Sequence, residues 1–550
     1  MNGQQQRQIE IIRAVALSAQ SLPMLASGLW FHHDIRDNFY YASYLFAAAV
    51  DEEIQSLLDN PADSKKKAEG VLARVLQLQQ QDPAEPLYGH FPLNLNPSPE
   101  AAKAHELPVE LMGSLMVYFN TRYKQNMSAE LKKSFEHALH HIYAGGFYRK
   151  PLQLFNHHEA KYTAAKLIFG QRYGDHELLE DGIASLKRTM ERVTVQGMPE
   201  YGALPWFWHW VQAFTCAWEL TDEPTLKQQL SDLLDYLWRE RALFYMKGAW
   251  VGAHSRGWPH DAPADRNVLH DYVQFGDFPR GDLIPRTEYA GFLCYPAPED
   301  ALQRALKRDR PEVVTKQIIK IDTGEEIPLH SYAYVTKDYS TGGIWERVKE
   351  FDNEQIRWMV SFPVTGETGV NQLYFFHPGD GWREGDPRHQ SEYAEVLYDR
   401  NRILTLFPVP EDAEQQEIIG VLPKGSWIAQ EAGLFGLVQN CFVSILLHGQ
   451  YTFEELEEYN LVRLQGEPAA VAVEVLGREE AEKLAIDSLP SFAERMSGVD
   501  FALQQASRLG GKLIYTGISH QDLLELIVAS PGQSVARVNR EEIPRLGHQG

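Results

Sequence analysis

The sequence predicts an α+β multidomain protein, an N-terminal (α/α) toroid followed by an antiparallel β-sandwich, and three observations carry that prediction. Apolar residues recur at helical spacing through the first half of the chain, while β-branched and aromatic runs bounded by turns fill the second half. A proline-led, charge-dense stretch, YPAPEDALQRALKRDRPE, separates the two patterns. At 550 residues the chain is also too long for one ordinary hydrophobic core.

The helical pattern recurs near residues 7–22, 37–58, 63–80, 108–124, 128–145, 157–173, 176–196, 206–221 and 223–241. Pro- and Gly-containing breaks such as DPAEPLYGHFPLNLNPSPE and VQGMPEYGALPW separate many of these segments. Within 157–173, Ala160, Ala164, Leu167 and Ile168 share one helical face. No fixed-period repeat is evident, which disfavours the common helical solenoids. Paired helices in one domain point to a closed or partly closed toroid, with a bundle as the alternative that periodicity leaves open. Residues 1–295 are assigned to this domain, 296–312 to a linker and 313–550 to the sandwich. Strands are expected at KQIIKI, SYAYVTKDY, IRWMVSFPV, NQLYFFH, YAEVLYD, RILTLFPV and CFVSILLHG, and again at KLIYTG and LLELIVAS. A helical insertion is expected near 478–509, over REEAEKLAIDSLPSFAERM and VDFALQQASRL.

The apolar share of 44% and charged share of 23% are those of a globular chain. A formal net charge of −23 repels phosphate backbones and anionic lipid, so neither nucleic acid nor a membrane surface is expected as a partner. An acidic ligand is still admissible where basic groups gather locally. Cys216, Cys294 and Cys441 are widely spaced and form no disulfide framework. The first residues lack a secretory pattern, so a cytoplasmic location is expected. No cofactor is implied.

Three clusters concentrate chemistry. The first, LFNHHEAKYTAAKLIFGQRYGD, places Asn156, His157, His158, Glu159 and Tyr162 at a helix start. Asn156 has an ordinary use there as an N-cap, but capping requires neither histidine. The second, GAWVGAHSRGWPHDAPADRNVLHDYVQFGD, holds Trp250, His254, Arg256, Trp258, His260, Asp261, Arg266, His270, Asp271 and Tyr272. Aromatic faces beside guanidinium and imidazole groups suit sugar rings with acidic substituents. The His and Asp residues are also metal-ligand types, but their spacing fits no recognised site, and no metal is assigned. The third, FPRGDLIPRTEY, supplies Arg280, Arg286, Glu288 and Tyr289. Arginine grips a carboxylate through two parallel hydrogen bonds, and an Arg–Glu brace at the domain junction is an equal alternative.

NHHEAKY followed by AAKLIFG resembles the NNHG-and-Tyr helix start of the alginate-lyase and heparinase II/III-like polysaccharide lyases, matching Asn156 and His157. GAWVGAH is similar to the DGSF-x-QH segment of hyaluronate and chondroitin lyases, matching His254, and RGDLIPR resembles their RGR-x-ISR segment, matching Arg280 and Arg286. HQSEYAEVLYDRNRILTLFPVP and LHSYAYVTKDYSTGG resemble strands of the sandwich in these lyases. The resemblance implies a helical toroid joined to antiparallel sheets, and β-elimination on a uronic-acid-containing oligo- or polysaccharide.

That reaction needs a base for the C5 proton, an acid for the departing C4 oxygen and a group that neutralises the adjacent carboxylate. The residues of the three clusters meet these demands, with Asn156 and Arg256 or Arg286 expected as the clamp and His157 or His254 as the base. The acid falls to Tyr289, Tyr272 or Tyr201. Tyr201, Trp206, Trp250, Arg256, Trp258, His260, Tyr272 and Arg280 are the expected substrate-binding residues. Two alternatives stay open: a glycoside hydrolase using a carboxylate pair drawn from Glu159, Asp261, Asp265 and Glu288, and a non-catalytic acidic-carbohydrate-binding protein. The second is motivated by the single Asn where the lyase motif has two.

Overall fold

Burial alternates from helix to helix along the first half of the chain. The protein was analysed as a computed structural model that describes residues 2–202, 204–254, 268–281, 287–322, 324–347, 355–366, 369–384 and 389–543. The helices are α1 (Gly3–Ser21), α2 (Ile35–Val50), α3 (Pro61–Gln77), α4 (Leu107–Tyr123), α5 (Ala129–Gly145), α6 (His157–Tyr173), α7 (His176–Gln196), α8 (Leu204–Leu220), α9 (Pro224–Leu243) and α10 (Leu269–Gln274). Two small ladders accompany them: β1 (Phe91–Pro92) with β2 (Ala104–His105), and β3 (Tyr245–Met246) with β4 (Ala249–Trp250).

Helix α5 buries one stripe, Leu131, Phe135, Ala138, Leu139 and Ile142, as an amphipathic helix on an outer layer must. By contrast α2, α4 and α6 are buried on nearly every side. The fully buried helices form an inner layer in which α2 packs on α4, α4 on α6 and α6 on α8, and α1, α3, α5, α7 and α9 lie outside them. The ends of this ring meet where α10 touches α1. There the Arg7 guanidinium donates to the Val273 carbonyl at 2.8 and 3.0 Å, and the Tyr272 hydroxyl donates to Glu10 at 2.6 Å. Helix α2 stops at Val50, short of the predicted 58, because Asp51, Glu52 and Glu53 put negative charge on the partly negative C-terminal end.

After α9 and α10 comes α11 (Glu299–Leu306), which packs on α9. The stretch expected as a linker therefore contains a docked helix, with Asp300 accepting from Arg239 at 2.7 Å. The strands that follow are β5 (Glu312–Asp322), β6 (Glu325–Val335), β7 (Ser340–Ile344), β8 (Trp358–Ser361), β9 (Gln372–Phe376), β10 (Glu395–Asp399), β11 (Arg402–Phe407), β12 (Ile418–Leu422), β13 (Ser426–Gln430), β14 (Gly433–Val438), β15 (Cys441–Glu455) and β16 (Asn460–Gly477). All pair antiparallel, in the order β13-β14-β15-β16-β12-β9-β8-β7-β6-β5, with β10-β11 branching from β16. The branch arises because β16 pairs through its first part with β12 and through its second part with β11, while β15 lies along its whole length. One long hairpin thus serves both branches of this sheet.

Two short helices, α12 (Arg478–Lys483) and α13 (Leu489–Ser497), precede a second sheet of β17 (Phe501–Ser507), β18 (Gly510–Thr516), β19 (Leu523–Ser530), β20 (Gln533–Val538) and β21 (Glu541–Glu542). The insertion predicted as helical through 509 is corrected here, since FALQQAS is a strand. Phe501 and Leu503 face Tyr515 and Leu513 across the ladder, and this pairing outweighs the helical propensity of Ala, Leu and Gln.

The two halves touch through polar contacts, some buried and one at the surface. Lys316 of β5 pairs with Glu240 of α9, Arg192 of α7 meets Glu326 of β6 at 2.6 Å, and the Ser361 hydroxyl donates to the Trp250 carbonyl at 3.3 Å. Among the described residues, no helix is long and apolar enough to cross a membrane.

Candidate active site

The inner helices bring their N-terminal turns together, and the polar residues those turns carry form one connected network. Each such turn leaves backbone N–H groups unpaired within its helix and carries a partial positive charge. Asn156 caps α6, its side-chain oxygen accepting from the N–H of His158 at 3.1 Å and of Glu159 at 3.2 Å. The Glu159 carboxylate turns back to accept from the N–H groups of Gln153, Leu154 and Phe155 at 2.7–3.1 Å. This wraps the loop before the cap and holds Phe155 at a positive φ of 52°. The wrapped loop fixes His157 and His158 as the first two residues of α6.

The buried His157 ring has two constraints. Its Nδ1 lies 2.5 Å from Glu200 Oε1, and its face stacks on Trp206 at 4.9 Å between ring centres and 10° between planes. The other Glu200 oxygen accepts from Trp210 Nε1–H at 2.9 Å. Burial pushes the Glu200 carboxyl up to about 7, against the opposing pull of the Trp210 side-chain and His157 backbone hydrogen bonds and of the Lys161 and Lys320 charges. With Nδ1–H donating to the carboxylate, Nε2 of His157 is the acceptor nitrogen of the ring.

Two further imidazoles lie beside carboxylates, His158 within hydrogen-bond reach and His209 at ion-pair distance. His158 Nδ1 lies 2.6 Å from Glu110 Oε2, and His209 Nε2 lies 3.7 Å from Glu288 Oε1. The His157 and His209 rings are 5.4 Å apart, and those of His157 and His158 are 4.0 Å apart. Glu110 also accepts from Lys161 Nζ at 3.0 Å and from the Tyr162 hydroxyl at 2.5 Å. Burial alone would raise its pKa, but the His158 hydrogen bond and the Lys161 charge hold it well below the usual carboxylate range. Burial in turn lowers Lys161, whose ammonium is 4% exposed. Glu288 closes the circuit. The Tyr40 hydroxyl lies 3.5 Å from its carboxylate, and Arg36, gripped by Asp34 in a fork at 2.6–3.1 Å, feels its charge. Glu288 and Tyr289 adopt left-handed backbone conformations, φ 46° and 59°, which cost energy for side chains with a Cβ. The Glu288 carbonyl, accepting from His270 at 3.0 Å, helps hold them there.

Among the expected catalytic residues, Asn156 and His157 lie in this network. His254 lies at the junction, where its backbone bridges Ile356 and its Cα sits against Gly202. Arg286 lies outside the described residues. Tyr289 requires correction. Its ring is fully buried among Phe39, Tyr40, Tyr44, Tyr118 and Phe292, its hydroxyl donates to Ser43 at 2.8 Å, and burial raises its pKa well above that of a free phenol. It packs the helical core and cannot serve as the acid.

Of the expected substrate-binding residues, Trp206 stacks on His157, and Tyr201 directly follows Glu200. Trp250 is a second correction, because it is core, stacked on Phe244 and covered by the Arg241 guanidinium. Tyr272 sits where α10 meets α1, with burial and its bond to Glu10 pushing it up to about 12, and Arg280 is its neighbour there. Neither touches the network. Arg256, Trp258 and His260 lie outside the described residues.

Sequence reasoning did not single out Glu110, Lys161, Glu200, His209, Tyr40 or Arg36. A carboxylate inside LPVELMGSLMVYF was the available signal for Glu110, since a charge on a helix buried on all sides must find a partner. Among the described residues, no three His, Cys, Asp or Glu side chains gather as a metal site.

No family model matches the chain, and no curated protein matches it in sequence. It is similar in structure to a chondroitin AC lyase of Streptomyces coelicolor A3 in complex with chondroitin sulphate, with TM-score 0.45 and 10% identity over 97% of this chain and 89% of that one. A heparinase III structure is similar with TM-score 0.44 and 9% identity, covering 92% and 83% of the two chains. A mutant heparan sulfate lyase of Pedobacter heparinus is similar with TM-score 0.37 and 10% identity, covering 98% and 90%.

Proposed function

We propose that the network is the active site of a carbon–oxygen lyase that cleaves uronic-acid-containing glycans by β-elimination. The observation that carries the reading is the His157–His209 pair, two imidazoles 5.4 Å apart with a carboxylate beside each. Such a pair divides proton removal and proton delivery at neighbouring atoms between two groups. His157 Nε2 takes the C5 proton. The electrons of that C–H bond form the C4=C5 double bond as the C4–O bond breaks, and protonated His209 gives a proton to the departing oxygen. Asn156 uses its oxygen in capping, so its amide N–H groups are what it offers to the substrate carboxylate. The positive ends of α6 and α8 add to that field, stabilising the enolate-like charge as it develops. Trp206 covers one face of His157 and limits its solvation.

The decisive test is ultraviolet absorbance during incubation with glucuronan, alginate and glycosaminoglycan oligosaccharides, because the C4=C5 product absorbs and a hydrolysis product does not. One observation favours a second reading. A carboxyl raised to about 7, as Glu200 is, suits the general acid of a glycoside hydrolase. New reducing ends without new absorbance would select that reading. The cytoplasmic location expected from the sequence belongs with the lyase proposal, where short oligosaccharides are the substrate.

A further inference from the structure

Glu200 is carried by a loop, residues 197–202, that belongs to the helical half but is shaped largely by the other half. At Gly197, φ 78°, an added Cβ would lie 3.1 Å from the Gln317 carbonyl oxygen of β5. At Gly202, φ 63°, it would lie 2.0 Å from the Ala253 carbonyl oxygen, so that backbone contact admits glycine alone. Between these two pinned points Tyr201 packs with Ala253 and with Ile318, Leu329 and Ile344 of the sandwich. Its hydroxyl accepts from the buried Gln355 carboxamide at 2.8 Å. Gln355 also reaches the Glu346 carbonyl at 3.4 Å, and its neighbour Ile356 bridges His254 by backbone hydrogen bonds of 2.9 and 3.2 Å.

We propose that the sandwich half is a positioning device for the candidate base, acting through Gln355 and Tyr201. The hydrogen bond across the junction holds the 197–202 loop so that the Glu200 carboxylate stays 2.5 Å from His157 Nδ1. Tyr201 and Gln355 are positioning residues, acting through the loop that carries Glu200. The inference rests on the reading of His157 as the base, but its test does not depend on turnover. The groups that face Glu200 are His157, the Trp210 N–H, Lys161 of α6 and Lys320 of β5. Protonation among them is visible optically, because a protonated imidazole quenches the indole it stacks on and His157 stacks on Trp206.

The experiment compares Tyr201→Phe, Gln355→Leu and the double variant with Ser361→Ala, which removes a different hydrogen bond between the same halves. Trp206 fluorescence is titrated against pH as the difference between each protein and its Trp206→Phe counterpart. Turnover is followed by absorbance on the oligosaccharide panel. Both single variants are expected to move the fluorescence midpoint by about half a pH unit in the same direction, with no further shift in the double variant, because both cut one strut. On the substrate that reacts, kcat is expected to fall about tenfold with KM within about twofold. Ser361→Ala should leave the midpoint unchanged. An unmoved midpoint in both single variants, or an equal shift in Ser361→Ala, overturns the strut. A shifted midpoint without elimination in any protein supports the strut and overturns the proposed reaction, so the two failures are distinguishable. Since Tyr201→Phe and Gln355→Leu cut the bond from opposite ends, either alone decides the matter if the other fails to fold.

Discussion

Replacing Glu110 with glutamine isolates the buried charge at the floor of the site. The carboxylate accepts from His158, Lys161 and Tyr162, at 2.6, 3.0 and 2.5 Å, and the Lys161 ammonium is 4% exposed. At 3.0 Å and an effective dielectric constant of about 20, the Glu110–Lys161 attraction is about 5 kcal/mol. Removing one member of a buried pair costs about 3–5 kcal/mol, because the other charge is left uncompensated. Glutamine keeps one acceptor oxygen, so Glu110→Gln should cost about 3 kcal/mol. Urea unfolding followed by tryptophan fluorescence measures this well, since eight of the 12 tryptophans precede residue 296. The double variant Glu110→Gln/Lys161→Met removes the stranded charge and should recover to within about 1 kcal/mol of the parent. Acid adds a second signature. Glu110 is held below its unfolded value, so its contribution is present above the unfolded pKa of about 4.3 and is lost as pH falls through the folded value. The parent should therefore lose stability below about pH 4.5 more steeply than Glu110→Gln. A cost under about 1 kcal/mol, or a double variant no more stable than the single, refutes the argument.

Three other outcomes follow from the same contacts. His157→Ala should lower turnover at least about 100-fold, and near-normal absorbance kinetics would remove His157 from the mechanism. Glu200 is raised in the folded protein, so its stabilising contribution is present below the unfolded pKa of about 4.3 and is lost as pH rises through about 7. Glu200→Gln should flatten the fall in stability across that window, and parallel curves for parent and variant would contradict the assignment. Lys316→Ala leaves Glu240 buried without its cation and should destabilise by about 3 kcal/mol, whereas Asp300→Ala, which breaks an exposed pair with Arg239, should cost about 1 kcal/mol or less. Equal costs in thermal or urea unfolding would show that burial is not what separates the two pairs.

The helices were legible because apolar spacing reports a buried stripe directly. The predicted 157–173 and 176–196 coincide with α6 and α7, and runs such as YAEVLYD and RILTLFPV fall on β10 and β11. Strand β16 escaped because LVRLQGEPAAVAVEVLG mixes alternation with a Gly-Glu-Pro break, and its continuity depends on pairing with three different strands. In the site, Asn156 and His157 announced themselves by adjacency at a helix start. Glu200 stands 43 positions from its partner inside a turn-rich break, and nothing local marks it. Trp250 and Tyr289 misled for a related reason. Aromatic rings beside charged groups describe a sugar platform and a packed core equally well, and only the observed contacts of Arg241, Ser43 and Phe39 distinguish the two.

The hairpin of β15 and β16 has a kinetic consequence. Because β16 pairs with β12 through its first part and with β11 through its second, loss of the β15–β16 hairpin strips both branches of a hydrogen-bonded neighbour at once. Amide protons of Val421 in one branch and Leu404 in the other should therefore exchange with solvent through one shared opening event, at a common rate under conditions where global opening dominates. The two branches then behave as a single cooperative unit.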